Sequence, residues 1–356
     1  MKKLVILMML ILGLCAMNAS ISAYAEEEQV IKVELEDNLI INASISTPNT
    51  ENLKEPVIHV RKFVPNAELA QQVLFPQKNP INILTNEDYP DYRLIQFDKG
   101  EYLAINTGYI DSATQTGEVI RQLYSLEWLI NAHSLEHPDL AFAKRDQIKE
   151  EVINKLTRMG FANLQCVDIY ALSTDQLQNA ADHLYIEPSF EEDIKEGRIA
   201  FKRIWTVDDE CYVLKIQSII GENSIPVFSN DSNKSFSLSE VHYESCEIEV
   251  VVSKDGIIAM RASNVVQELS EDNAELLLPA EKVVDYLSEY YKNIIVESPT
   301  VVSKIALYYT ILPVEGENAY DLIPTWCCRV DSQYGYESEA ITEWIVFDAR
   351  NGRIYY

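Results

Sequence analysis

Basic residues are scarce in this chain. Lysine and arginine number 29 against 56 aspartates and glutamates, for a formal net charge of −27 over 356 residues. Binding to a phosphate backbone depends on cationic side chains displacing condensed counterions, so this balance argues against nucleic acid as a partner. An anionic membrane surface repels such a chain for the same reason, which speaks against strong membrane-surface binding. Long apolar runs are missing as well. The run from Leu4 to Met17 falls short of the roughly 20 apolar residues that span a bilayer. It follows Lys2 and Lys3 and precedes Ala23-Tyr24-Ala25. A basic start, a short apolar core and a small-x-small site predict a signal peptide over 1–25, cut after Ala25, and hence an exported protein of the cell envelope or the extracellular space. Cys15 offers a lipid anchor instead, but Leu14 stands where a lipobox has Gly, Ala or Ser, so ordinary cleavage is preferred.

Catalytic signatures are thin. No serine lies in a Gly-x-Ser-x-Gly elbow, and no cysteines have the C-x-x-C spacing of zinc sites or redox dithiols. The acid clusters Asp208-Asp209 and Glu191-Glu192-Asp193 lack the spaced ligands and glycine of an EF-hand loop, and read as solvated turns. Cleavage leaves Cys166, Cys211, Cys246, Cys327 and Cys328, an odd set with at least one free thiol in a monomer. Cys327 and Cys328 are strand neighbours that point to opposite faces. One of them could reach Cys211 or Cys246, or all could be small buried hydrophobes, and the pairing stays open.

Of the five histidines, His59, His183 and His242 are scattered. His133-Ser134-Leu135-Glu136-His137 has the H-x-x-E-H spacing of inverzincin peptidases. On a helix those positions share a face, so His133 and His137 could hold zinc while Glu136 polarises its water. Pro138 follows at once and biases His137 away from helical angles, which favours a polar helix end. No catalytic, cofactor-binding or metal residue is therefore assigned. The tyrosines, 20 in all, include the pairs Tyr290-Tyr291 and Tyr308-Tyr309, which could line a groove but also suit half-buried sheet faces.

What the chain does have is alternation. Ile31 to Glu36 meets Leu39 to Ile45 across Asp37-Asn38, and Tyr92 to Phe97 meets Glu101 to Tyr109 across Asp98-Lys99-Gly100, two expected β-hairpins. Val57 to Phe63 reads as a strand and Ala67 to Leu74 as a short helix. Helices are expected from Gln115 to about Ala132 and from Arg145 to Met159, the latter stopped by Gly160. The strand Leu164 to Leu172 leads into a capping box, Ser173-Thr174-Asp175-Gln176, and a further helix. A polar stretch from Glu187 to Gly197 predicts a break between an N-terminal domain, 26–190, and a C-terminal one, 195–356. The second begins with a hairpin through Asp208-Asp209 whose second strand is Tyr212 to Ile219. Another hairpin turns at Lys254-Asp255-Gly256. Pro279 opens a helix with the stripe Val283, Leu287 and Tyr290. Three strands close the chain: Ile305 to Tyr309, one opening just after Pro324, and Ile345 to Ala349. The turn at Asn351-Gly352 folds the terminus back on the last of these. Helix followed by strand occurs in both halves, and whether they form a true repeat stays open.

Ile305 to Tyr309, Leu322-Ile323-Pro324-Thr325-Trp326 and Phe347 to Ile354 resemble the C-terminal part of exported proteins of Gram-positive bacteria related to the YycH/YycI regulators and to PepSY-like domains. Leu156 to Phe161, with Tyr170-Ala171-Leu172 after it, resembles the upstream half of an uncharacterised clostridial lipoprotein-like group. The resemblance implies an α+β fold of two tandem units, each a curled antiparallel sheet packed on helices. The expected function is a non-catalytic envelope protein that binds a protein or peptide partner and regulates or inhibits it. A zinc-dependent peptidase is the alternative, and the oligomeric state is left open.

Overall fold

Short alternating segments bury one face each and need partners to do so, and the chain meets that need mainly with sheet. The structure, a computed structural model, describes residues 29–36, 38–46, 52–124, 139–183, 191, 194–196, 202, 204–221, 223–228, 247–292, 294–314, 319–333 and 340–355. In chain order its elements begin with β1 (Gln29–Glu36), β2 (Leu39–Ser46), β3 (Lys54–Glu55), β4 (Ile58–Lys62), α1 (Ala67–Leu74), β5 (Asn82–Thr85), β6 (Arg93–Gln96), β7 (Tyr102–Asn106) and β8 (Tyr109–Ala113). They continue through α2 (Gln115–Tyr124), α3 (Arg145–Arg158), β9 (Leu164–Leu172), α4 (Thr174–His183), β10 (Cys211–Ile220), β11 (Ile225–Pro226), β12 (Glu247–Ser253) and β13 (Gly256–Ser263). The chain ends with β14 (Val266–Glu271), β15 (Glu275–Leu276), α5 (Glu281–Tyr291), β16 (Thr300–Pro313), β17 (Tyr320–Gln333), β18 (Ala340–Asp348) and β19 (Ile354–Tyr355). The class is mixed α+β, with sheet predominant.

Contact density defines two compact units, neither continuous in sequence. The first holds Met1–Pro48, Ala280–Ala306 and Cys327–Ile345, and the second Asn49–Pro279, Leu307–Trp326 and Val346–Tyr356.

In the first unit, β1 and β2 form the expected antiparallel hairpin, from Gln29↔Ile45 to Glu36↔Leu39. Leu39, Ile41 and Ala43 are wholly buried. The expectation of antiparallel sheet fails at the next pairing, because β2 and the first half of β16 run parallel, Thr300 opposite Leu39. Parallel strands need a long crossover, and a stretch that includes α5 supplies one. That helix buries Val283, Leu287 and Tyr291. The expected stripe had Tyr290 in the last place; two steps of four from Val283 put Tyr291 there instead.

In the second unit, a nine-stranded sheet has the order β11-β10-β12-β13-β8-β7-β6-β5, with β9 on the free flank of β10. The expected break between 26–190 and 195–356 falls inside this sheet, since β9 and β10 pair from Cys211↔Leu172 to Ser218↔Leu164. The hairpin expected through Asp208-Asp209 is replaced by a single 3-10 turn, Val207–Asp209, and β10 pairs with β9 and β12 instead. Trp205 is buried among Val119, Ile120, Leu123, Leu177 and Val213 in one hydrophobic cluster of the core. Its indole N–H has no acceptor among the described residues.

Also in the second unit, β4 lies between β14 and the start of β17. The strand expected to open after Pro324 already begins at Tyr320 and runs through the proline. Proline lacks only the donor, and the Pro324 carbonyl still accepts Ala349 N at 2.9 Å. The closing turn is as expected: Val346 pairs Tyr355, Phe347 pairs Ile354, and Gly352 has φ +77°. Asp348, almost wholly buried, clamps this turn. It accepts from the amide and guanidinium of Arg350 at 2.8–3.0 Å, from the Asn351 side chain at 3.2 Å and from the Tyr355 hydroxyl at 2.8 Å.

Candidate functional site

Edge strands carry a row of unpaired backbone donors and acceptors, and proteins ordinarily blunt them with charge, proline or brevity. Most edges here are blunted. On β1 the exposed residues include Lys32 and Glu34, on β9 Asp168, and on β14 Glu268 and Glu271. The strand β11 is two residues long and ends in Pro226, and β19 is equally short and follows Arg353. The exception is β5, Asn82-Ile83-Leu84-Thr85, with neither charge nor proline. It pairs β6 on one side, Ile83 opposite Ile95 and Leu84 opposite Leu94, and no described strand pairs the other. Its apolar side chains are open on both faces, Ile83 55% exposed and Leu84 45%, and Ile81 just before it is 70% exposed.

Local chemistry sets the limits of this edge. Pro80 precedes it, and the Asn86 side chain accepts from the Asp88 amide at 2.9 Å, an Asx turn that ends the strand. The support beneath is firm. Ile95, Phe97 and Leu103 are buried, Phe75 stacks on Phe97 at 4.4 Å, and Lys78 reaches the Glu101 carboxylate at 2.5 Å. Asn82 donates across to Gln96 at 2.9 Å, and Thr107 donates to Asp91 at 2.9 Å. The edge is thus held in strand geometry before anything binds.

Two polar clusters stand apart from it. In the first, Arg121 of α2 meets Asp111 of β8 at 2.5 Å, Glu118 at 3.0 Å and the Tyr102 hydroxyl at 3.1 Å, while Tyr109 donates to Asp111 at 3.0 Å. Burial opposes the Arg121 charge, but Asp111 more than offsets it and holds the guanidinium protonated. Burial, with the Asp111 charge, pushes both tyrosines up to about 12. Arg261 adds a second cation near Asp111 at 3.5 Å, so the cluster is balanced and fastens α2 to the sheet. In the second cluster, His59 on β4 stands between Asp321 at 2.7 Å and Asp272 at 3.2 Å. Hydrogen bonds to Asp321 and then to Asp272 raise its pKa above the usual imidazole value. The two carboxylates take opposite ring nitrogens, which suits an imidazolium bridge between strands rather than a metal.

The candidates singled out from sequence take other places. His133, Glu136 and His137 lie outside the described residues, as do Cys15, Ala25, Cys246, His242, Glu192 and Asp193. Asp209 is buried, ion-paired with Lys202 and bonded to Thr206 at 2.8 Å, and Asp208 meets Lys254 at 2.5 Å. Both carboxylates are engaged by cations, and Asp209 is buried rather than part of a solvated turn. Cys166, Cys211 and Cys328 are free thiols, so the disulfide weighed from Cys328 to Cys211 is not formed. Tyr309 is buried, its hydroxyl 2.7 Å from the buried carboxylate of Glu55, which also takes the Asn223 amide at 2.5 Å. No groove tyrosine arises there. Sequence reasoning passed over 82–85, although a short β-prone run between Pro80 and Asn86-Glu87-Asp88 is a legible strand signal.

These features define a sheet-rich α+β protein with one unguarded edge among its described strands. No family model matches the chain, and no curated protein matches it. Among solved structures, the 1.45 Å crystal structure of an uncharacterised protein from Eubacterium rectale is similar, with a TM-score of 0.60 at 14% identity. The match covers 92% of this chain and 93% of that one, and shows a shared fold. No described helix is long and apolar enough to cross a membrane.

Proposed function

We propose that the protein is a non-catalytic, exported binding protein of the cell envelope that captures an extended segment of a protein or peptide partner on β5, and so regulates or inhibits that partner. The observation that carries this reading is the contrast between β5 and the other edges. Main-chain pairing to an added strand supplies affinity without special side chains, while Ile83 and Leu84 offer apolar contact on either face. We read the finer architecture as PepSY/YycI-like curled sheets packed on helices, a reading that the β1–β2 and β12–β13 hairpins support, with the two units interleaved along the chain rather than in tandem. Export rests on the sequence of residues 1–25.

The test is site-specific photo-crosslinking in living cells, with the reactive residue placed at Thr85 on the edge or at Lys149 on the exposed face of α3. Capture of one discrete partner from Thr85 alone, abolished by Ile83→Lys, is the expected result. The same products from both positions, or a Thr85 product untouched by Ile83→Lys, would overturn the reading.

A further inference from the structure

Resting on the reading of β5 as a capture edge, we infer that its occupant is an extended segment with Lys or Arg next to its apolar residues, recognised by Glu87, Asp88 and Tyr89. Three observations bear on this. Glu87 and Asp88 follow the strand directly, are exposed, and meet no cation among the described residues. Lys78, the nearest upstream lysine, is held by Glu101, and Arg93 stands opposite Thr85 on β6, so acids outnumber available cations at this end. Tyr89 is 61% exposed and offers a ring face over which a guanidinium or ammonium can lie.

Charge also decides between occupants. A second copy of the chain would bring its own Glu87 and Asp88 to the same edge, together with a like net charge of −27. A cationic segment meets attraction where a second copy meets repulsion. The pairing is self-consistent in space: strand addition fixes the backbone of the incoming segment in register with 82–85, and residues one or two places beyond that register fall beside 87–89. Apolar contact and main-chain bonds then supply adhesion, and the acids supply selection.

The experiment uses the full chain and two fluorescent synthetic peptides, each a valine-threonine alternation, one ended by two lysines and the other by two glutamates. Anisotropy titrations at about 50 mM and about 500 mM salt separate screened from unscreened attraction. At low salt the lysine peptide is expected to bind about fivefold more tightly than the glutamate peptide, as two exposed ion pairs allow, and the gap should close at high salt. Glu87→Gln with Asp88→Asn should level the two peptides without abolishing either. Ile83→Asn with Leu84→Asn, exposed changes that add no charge, should weaken both, with circular dichroism confirming the fold. Equal binding of the two peptides, lost in the asparagine variant, would overturn the cation preference and leave strand capture standing. A lysine preference that survives the asparagine variant would place the attraction elsewhere on the acidic surface and overturn both, as would no binding of either peptide.

Discussion

Gly117 lies in the first turn of α2, where alanine would ordinarily be the better residue. Exchanging glycine for alanine in a helix gains about 1 kcal/mol. Here a Cβ would stand 2.1 Å from the Ile258 carbonyl oxygen, 2.7 Å from its carbon and 3.0 Å from the Ala259 Cβ. Those first two atoms are backbone of β13 in the middle of the sheet and cannot rotate aside. Relief requires the helix to withdraw by about 1 Å, roughly the shortfall from ordinary contact. Withdrawal strains the bond from Thr114 N to the Ile258 oxygen (2.8 Å) and loosens Val119, Ile120 and Leu123 in the Trp205 core. Overpacking of this kind costs about 1–3 kcal/mol, more where backbone must move. With the loss of the Thr114 bond and the helix gain set against it, Gly117→Ala should destabilise by about 2–3 kcal/mol. In a domain of this size that is a fall of about 6 °C in Tm. Urea denaturation followed by tryptophan fluorescence would register it as a lower midpoint at unchanged slope. A neutral or stabilised variant would mean that α2 does not approach β13 at this point, and would refute the packing described.

Other perturbations have equally definite outcomes. The raised pKa of His59 means that its bridge is fully present below the ordinary imidazole value of 6.5 and lost as pH rises through the higher folded value. His59→Asn should therefore cost stability at pH 6 and little at pH 9, by under about 1 kcal/mol because the groups are solvent-exposed; a pH-independent difference would refute the bridge. Burial pushes the Asp348 carboxyl up, but bonds from Arg350 and Tyr355 more than offset this and hold it below the usual carboxylate value of 3.8. Its contribution is present above 3.8 and lost as pH falls through the lower folded value, so Asp348→Asn should cost about 3 kcal/mol at pH 7 and converge with the parent in strong acid. A constant gap in urea midpoints would contradict this. Burial raises the thiol pKa of Cys211 to a far greater extent than that of the half-buried Cys166. Alkylation at pH 8, mapped by mass spectrometry, should reach Cys166 first and Cys211 only on unfolding, and the reverse order would contradict the burial assigned to β10.

How much of this was legible in the sequence depended on the range of the interaction. Signals that act within a few residues read well. Asn66 caps α1, whose bounds match Ala67 to Leu74, and β9 matches Leu164 to Leu172. The Gln176 side chain returns to the Ser173 amide at 2.8 Å as the capping box requires. What failed was partner choice over distance. Alternation marks a strand but not its neighbour, so the parallel β2–β16 pairing was hidden, as was the passage of β9 and β10 into one sheet. Trp205 looked like part of a hairpin because its core partners lie on α2 and α4, far off in sequence. The site was obscure for a further reason. An edge becomes visible only when every other strand has been paired, and no property of Asn82-Ile83-Leu84-Thr85 alone says that its outer side is left open.

An unguarded edge creates a hazard, since two copies could pair β5 to β5 and extend the sheet. Among the described residues, charge is the feature that opposes this. The strand itself carries none, so protection falls to its surroundings: Glu87 and Asp88 beside it and the net charge of −27 over the whole. Protection of that kind is conditional, whereas a lysine inside the strand would stay charged at every pH below about 10. The chain should therefore lose it near its isoelectric point of about 4.5, where mean repulsion vanishes while the exposed Ile81, Ile83 and Leu84 remain. Light scattering during titration from pH 7 should show reversible association setting in as pH 4.5 is approached, and Ile83→Lys should suppress it although it barely alters net charge. If the variant associated as readily as the parent, general charge neutralisation would account for the effect and β5 would lose its special standing. If it did not, the acidity of this chain would have two roles at one edge, holding copies of the protein apart and admitting a cationic partner.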